Sequence, residues 1–195
     1  MRRALLFAVP ALMLLAGCGG AHEQVDPPAT PAHARVVLRT PPVTRLRPVA
    51  AGTLDAALQD AAAAPFHGGA VLVGGLTATD VSTDEIVTAT RAGSQRVGRI
   101  PAALHDAAAV TIGRTTYVFG GGNGVAQLDG ILAVDPRTGA AQATGRLPAP
   151  SSDQAGAAIG RTAYIVGGYT GSHWLDTIVA WRPGGRSHAP SPASG

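Results

Sequence analysis

Six side chains stand out as able to hold a ligand: His105, Asn123, Gln127, Tyr169, His173 and Trp174. Five of them fall in two short stretches, 122–129 and 169–176, that each follow a Gly-Gly pair. These stretches differ from one another where the residues around them agree. Tyr and Trp on an exposed loop offer a flat apolar surface with a polar tip, the chemistry of a protein or sugar contact. The competing expectation is that these side chains pack on their own scaffold. No Ser-His-Asp set or carboxylate pair can be argued from spacing. The six His show no metal-ligand spacing: His22 and His33 lie near the N-terminus and His188 near the C-terminus. The run from Gly120 to Gly124 is glycine-rich. Yet no helix signal follows it, and no Lys or Ser/Thr stands at phosphate-loop spacing. No catalytic residue, cofactor or metal is therefore expected.

What positions these loops is a repeat. Gly74-Gly75, Gly120-Gly121 and Gly167-Gly168 are spaced by 46 and 47 residues. In that register Asp60, Asp106 and Asp153 coincide, and Gly68, Gly113 and Gly160 mark the same bend. GRIPA (98–102) matches GRLPA (145–149), and LDGILAVDP (128–136) matches LDTIVAWRP (175–183). Two copies and most of a third are present. The recurring Asp residues read as scaffold: a short acceptor before a strand can satisfy loop N–H groups. Asp129 and Asp176, before the third strand, read the same way.

Each copy resolves into short strands. Segments 107–112 and 116–120 flank Gly113-Arg114-Thr115, and 155–159 and 163–167 flank Gly160-Arg161-Thr162. A Gly at the bend supplies positive φ without steric cost, so each pair predicts a β-hairpin. Apolar runs without polar alternation predict strands buried on both faces. Third strands are expected at 130–134, 177–181 and 83–89, and fourth strands at 94–98 and 140–145. The third copy has no fourth strand before Pro183. By the same register, 43–52 is expected to be the fourth strand of a preceding unit.

An apolar strand ending in Gly-Gly, a variable loop, and a third strand ending near Asp-Pro resemble the kelch repeat. The resemblance covers about 54–185. A kelch unit carries an aromatic late in its third strand and a Trp seven positions later. Trp181 holds the first position in the third copy. Val134 and Ala141 replace the two in the second copy, so the units are degenerate. The resemblance implies an all-β fold: an open, partial β-propeller of about three four-stranded antiparallel blades. It also implies that the variable loops crowd one face, and that the doubled glycines sit where neighbouring chain packs too close for a Cβ. Fewer than three full blades do not close a ring. The apolar flanks of the arc are then expected to be exposed. A shortened form of a roughly six-bladed protein is the favoured explanation, with self-association through the open blade edges and an unstable lone arc as the alternatives.

The N-terminus gives an address. Arg2 and Arg3 precede an apolar run from Ala4 to Ala16, too short for a membrane span and fitting a secretory signal. The sole cysteine, Cys18, ends Leu15-Ala16-Gly17-Cys18, which resembles a bacterial lipoprotein lipobox. The resemblance implies cleavage before Cys18 and lipidation of its sulfur and new amino terminus, a stable anchor at the outer face of the cell membrane or envelope. A lone exported thiol otherwise has no disulfide partner. The expected organisation is a signal peptide over 1–17, a lipidated Pro-rich tether over 18–53, partial blades over 54–185 and a disordered tail over 186–195.

A net charge of +3 suggests a nucleic-acid partner at first sight. Without Arg2 and Arg3 the 15 basic residues, all Arg, fall to 13 against 12 acidic ones, with no basic cluster. That excludes a phosphate-binding surface of any strength. The functional expectation is an envelope-anchored scaffold that binds a protein or glycan. The alternatives are an incomplete kelch-class carbohydrate-active or redox enzyme and a remnant without activity. A radical-copper oxidase of the kelch class would need a Tyr–Cys cross-link, for which Cys18 is not free.

Overall fold

The computed structural model describes Arg45 and residues 47–184. The chain divides into two units, Met1–Leu46 and Arg47–Gly195, and every strand of the described residues belongs to the second. The expected signal peptide, Cys18, most of the expected tether and the expected tail over 186–195 lie outside the described residues.

The described residues form strands and no helix. The first repeat holds β1 (Leu58–Gln59), β2 (Ala62–Phe66), β3 (Gly69–Val73), β4 (Leu76–Thr77), β5 (Thr83–Thr90) and β6 (Gly93–Leu104), whose last residue, Leu104, stands in register with Leu58 and so already belongs to the second repeat. The second holds β7 (Ala108–Ile112), β8 (Thr115–Phe119), β9 (Gly130–Val134) and β10 (Ala141–Arg146). The third holds β11 (Ala155–Ile159), β12 (Thr162–Val166) and β13 (Ile178–Trp181). Each repeat makes one main antiparallel sheet, and the first adds a separate two-stranded sheet, β1-β4. Sheet I has the order β2-β3-β5-β6, sheet II β7-β8-β9-β10, and sheet III β11-β12-β13. None is closed. The expected hairpins and third and fourth strands are therefore present. The strand expected over 43–52 is absent among its described residues. Instead, Gly52 lies against the end of β5, where a Cβ on it would stand 3.1 Å from Thr90 O, and just beyond it Asp55 N donates to Ser94 Oγ of β6 at 2.9 Å.

The hairpin turns show why the Gly pattern differs by one place. Ile112 pairs with Thr115, and Ile159 with Thr162, around two-residue loops. Gly113 and Gly160 take positive φ at the first loop position while the Arg does not, the requirement of a type II′ turn. In the first copy Phe66 pairs with Gly69 around His67-Gly68, both at positive φ, which is type I′. Gly68 is thus the partner of Arg114, and His67 that of Gly113.

Two cores lie between the sheets. Ala62, Ala64, Val71, Val73 and Ile86 of sheet I pack on Val118 and Val134 of sheet II. Ala108, Val110, Tyr117, Phe119 and Ile131, on the other face of sheet II, pack on Ala163, Ile165, Val179 and Trp181 of sheet III. Sheet II is therefore buried on both faces, which is why β8 and β9 carry no polar alternation. Trp181 closes the second core with its ring 4.7 Å from Tyr117 and 5.4 Å from Phe119.

The Gly-Gly pairs end the second strands at the seams between sheets. A Cβ on Gly74 would stand 2.3 Å from Leu104 O, and one on Gly120 2.4 Å from Ser151 O. Both glycines also hold left-handed φ, which a Cβ disfavours. The expected collision is present where a following repeat exists. At Gly167, which has none, the nearest atom is Leu175 O at 3.4 Å.

The recurring Asp residues work differently from the expectation. Asp60, Asp106 and Asp153 all adopt left-handed φ, between 53° and 58°. Asp tolerates this region better than most residues. Their backbones join the repeats: Asp106 N donates to Asp60 O and Asp153 N to Asp106 O, each at 2.9 Å. No loop N–H bonds to their carboxylates among the described residues. Asp129 likewise accepts from the Arg146 guanidinium at 2.8 Å instead of from a loop amide.

Candidate binding face

At the end of each sheet where the second strand stops, three short segments pair into a ribbon. Gln59 pairs with Leu76 and Leu76 with Ser82; His105 with Gly122 and Gly122 with Gln127; Ser152 with Tyr169 and Tyr169 with Trp174. The register that equates the repeats equates these positions too. Backbone pairs fix the middle and last ribbons, His105–Gly122 at 2.8 and 2.9 Å and Ser152–Tyr169 at 2.8 and 2.9 Å. One backbone shape thus carries three sets of side chains.

Side chains link adjacent ribbons. Ser82 Oγ and His105 Nδ1 are 2.8 Å apart, and His105 Nε2 lies 3.7 Å from Asp106 Oδ2. The imidazole is 15% exposed, so it sits between the first two ribbons. Burial raises the Asp106 pKa above its ordinary 3.8; the Asp153 and Asp60 carboxylates push the same way, and His105 opposes them. Gln127 approaches the third ribbon, with its Oε1 2.5 Å from where a Cβ on Gly171 would stand. The absence of a side chain there lets the two loops meet.

The third ribbon presents the aromatic pair. Tyr169 and Trp174 have ring centroids 4.7 Å apart at 40°, and Trp174 is 73% exposed. The loop beneath is ordered by its own polar groups. Thr170 Oγ1 lies 3.0 Å from His173 Nδ1, Ser172 Oγ 3.1 Å from the same nitrogen, and Thr170 N donates to His173 O at 3.0 Å. Asn123 serves the second loop instead: its Oδ1 accepts from Val125 N and Ala126 N, both at 2.9 Å.

The structure thus brings Tyr169, His173 and Trp174 together in one loop, with Gln127 at its flank. It places His105 in the seam between ribbons and spends Asn123 on its own turn. Ser82, Ser152 and Gln154 are the residues that sequence reasoning missed. Gln154 stands where the earlier copies have Ala61 and Ala107, and its Nε2 donates to Phe119 O at 2.6 Å, tying sheet III to sheet II. That break in the repeat was the available signal. Among the described residues, no group of three or more His, Cys, Asp or Glu could hold a metal ion. The larger grooves lie elsewhere: one of about 450 Å³ between Leu54–Leu58 and Val87 and Arg96 of sheet I, another of about 500 Å³ at the hairpin turns around Phe66 and Arg114.

No protein-family model matches the chain, and no curated protein matches it.

Proposed function

We propose that the chain is a lipid-anchored protein of the bacterial cell envelope, held through Cys18, whose repeated sheets are blades of a partial kelch-type β-propeller. Its function is to bind a protein or glycan through the variable ribbons at one end of the sheets. The single observation that carries the binding role is the Tyr169–Trp174 pair: two rings in contact, one largely exposed, on a loop braced by Thr170, Ser172 and His173. Two rings in contact, one of them largely in water, leave an apolar surface open to a partner. It suits the apolar face of a sugar ring or an apolar side chain, with the Gln127 amide beside it as a polar contact.

The propeller reading is supported by three sheets in one register, packed face to face and joined through Asp60, Asp106 and Asp153. The anchor reading is supported by the sequence of residues 1–18. Mass spectrometry of the mature N-terminus checks the anchor: an unmodified peptide containing Cys18 would end it. The binding reading is checked by a glycan array and an envelope pulldown, each run with the wild-type chain and a variant carrying Tyr169→Ala and Trp174→Ala. Loss of the captured ligand is expected; equal capture by both chains would remove this loop as the contact.

A further inference from the structure

The two ends of the stack of sheets are complementary to each other. We propose that a second copy of this chain docks its first repeat onto the open face of sheet III, head to tail.

The exposed face of sheet III is the same face that sheets I and II bury. In sheet II, Ala108, Val110, Tyr117, Phe119 and Ile131 are covered by sheet III. Their counterparts in sheet III, by strand pairing, are Ala155, Ala157, Tyr164, Val166 and Ile178. Val166 is 45% exposed and Ile178 50%, where Phe119 and Ile131 are 0%. Sheet III therefore keeps the composition of an inter-sheet face with nothing over it among the described residues.

Backbone groups at this end lack the partners they have elsewhere. Gly75 N donates to Leu104 O at 2.8 Å and Gly121 N to Ser151 O at 2.9 Å, in both cases a carbonyl of the following repeat. Gly168 holds the same position and meets no such carbonyl among the described residues. Asp60 O and Asp106 O each accept from the next Asp, and Asp153 O has no such donor among the described residues. The first repeat offers the missing groups. Leu58 stands in register with Leu104 and Ser151, and Asp60 N donates to no Asp. Stacking a second copy in the same register pairs Gly168 N with Leu58 O and Asp60 N with Asp153 O across the two chains. It lays Ala63, Leu72 and Val87 on the open apolar face, at the positions Ala109, Val118 and Leu132 occupy in sheet II.

The same register brings residues 48–53 of the second copy beside β13, where sheets I and II carry β6 and β10. In the single chain these residues form no strand, and Val49 is 76% exposed. The occupant is therefore one that supplies an apolar face, two backbone partners and an edge strand at fixed spacing, and this chain's own first repeat supplies all of them. The interface is heterologous: one patch meets a different patch.

Complementation tests it. Two differently tagged full-length chains are co-expressed, extracted in detergent and co-purified. Ile178→Asp blocks the tail and Ala63→Arg blocks the head; both positions are exposed in the single chain, so each variant keeps its fold, verified by circular dichroism. Val166→Asp is a second tail variant. Wild-type chains are expected to co-purify. Two Ile178→Asp chains should recover about tenfold less partner or worse, because the interface would bury an unpaired charge. Mixing Ile178→Asp with Ala63→Arg leaves one head and one tail intact and should restore recovery. A wild-type pair that does not co-purify, tail-blocked pairs that do, or a mixed pair that fails each overturns the proposal. All pairs carry the same N-terminus, so association through an anchor alone would leave them equal.

Discussion

Truncating Trp181 to Ala should strip sheet III from the rest of the fold before the other sheets unfold. The indole is 2% exposed and touches both Tyr117 and Phe119 across the seam. Its loss removes the largest side chain that sheet III contributes to the second core. Removing a buried Trp costs about 3–5 kcal/mol in transfer and cavity terms. The two ring contacts add roughly 0.5–1.5 kcal/mol each if they are not replaced. Domains of this size are stable by about 5–15 kcal/mol, so a loss of about 4–8 kcal/mol is a large share. What remains on sheet III's side of the seam is Ala163, Ile165 and Val179, with the Gln154–Phe119 hydrogen bond and the backbone bonds of Ser151 and Asp153 to the second repeat. That is too little to keep sheet III docked as firmly as sheets I and II hold each other, so it should open as a separate unit. Urea denaturation followed by circular dichroism reads both effects. The midpoint should fall, and a shallow first transition with a reduced m-value should precede the main one. The remaining Trp174 reports locally: its emission should already be that of an exposed indole in the folded variant. A loss under about 1 kcal/mol with an unchanged m-value would refute the packing of sheets II and III through Trp181.

Gly120→Ala should cost about 3 kcal/mol or more, since it combines left-handed φ with a Cβ 2.4 Å from Ser151 O; Gly167→Ala shares the φ but meets only Leu175 O at 3.4 Å and should cost about 1–2 kcal/mol. Equal losses in thermal melts would mean that the seam does not constrain the pair. Asn123→Ala removes the acceptor for two loop N–H groups and should cost about 1 kcal/mol, with faster proteolytic cutting at 123–126. The raised pKa of Asp106 makes the folded chain bind its proton more tightly than the unfolded chain does. Stability from this group is therefore greatest below its ordinary 3.8 and falls as pH rises through the raised value. Asp106→Asn should flatten that slope in urea melts taken from acid to neutral pH. A slope left unchanged would assign it to other carboxylates.

The strands were legible because apolar content, turn chemistry and repeat register all pointed to the same places. Gly113-Arg114-Thr115 and Gly160-Arg161-Thr162 fix two-residue hairpins, and the pairing follows from them. The first copy was harder. His67-Gly68 turns the chain with both residues at positive φ, so its glycine sits one position away from the others. The Asp residues were visible as a repeat but not in their role, because a side-chain acceptor and a left-handed backbone link place the same residue type at the same position. Residues 43–52 matched a fourth strand by register alone. A strand needs a neighbour to bond to, and among the described residues this stretch takes no ladder partner and ends with Gly52 against Thr90 at the end of β5. The candidate site was visible as difference. Gln154 shows that difference is not sufficient, since it breaks the repeat yet serves the seam between sheets.

What separates Tyr169 and Trp174 from Gln154 is that Gln154 bonds across the seam to Phe119 O, whereas the two rings contact each other, on backbone positions that the other ribbons fill without an aromatic. Leu76 and Ser82 occupy them in the first ribbon, and Gly122 and Gln127 in the second, with the same pairing. The fold therefore does not require either ring, and the second ribbon supplies a replacement already known to suit that backbone. Tyr169→Gly with Trp174→Gln should keep the third ribbon intact, at a cost of about 1 kcal/mol from the added glycine. Protection of the Tyr169 and Ser152 backbone amides from hydrogen exchange would persist, because those N–H groups bond to each other's carbonyls and to no ring. Ligand capture would be lost with the fold retained. If protection collapsed with the substitution, the rings would be holding the ribbon together, and their exposure would have a structural cause instead of a binding one.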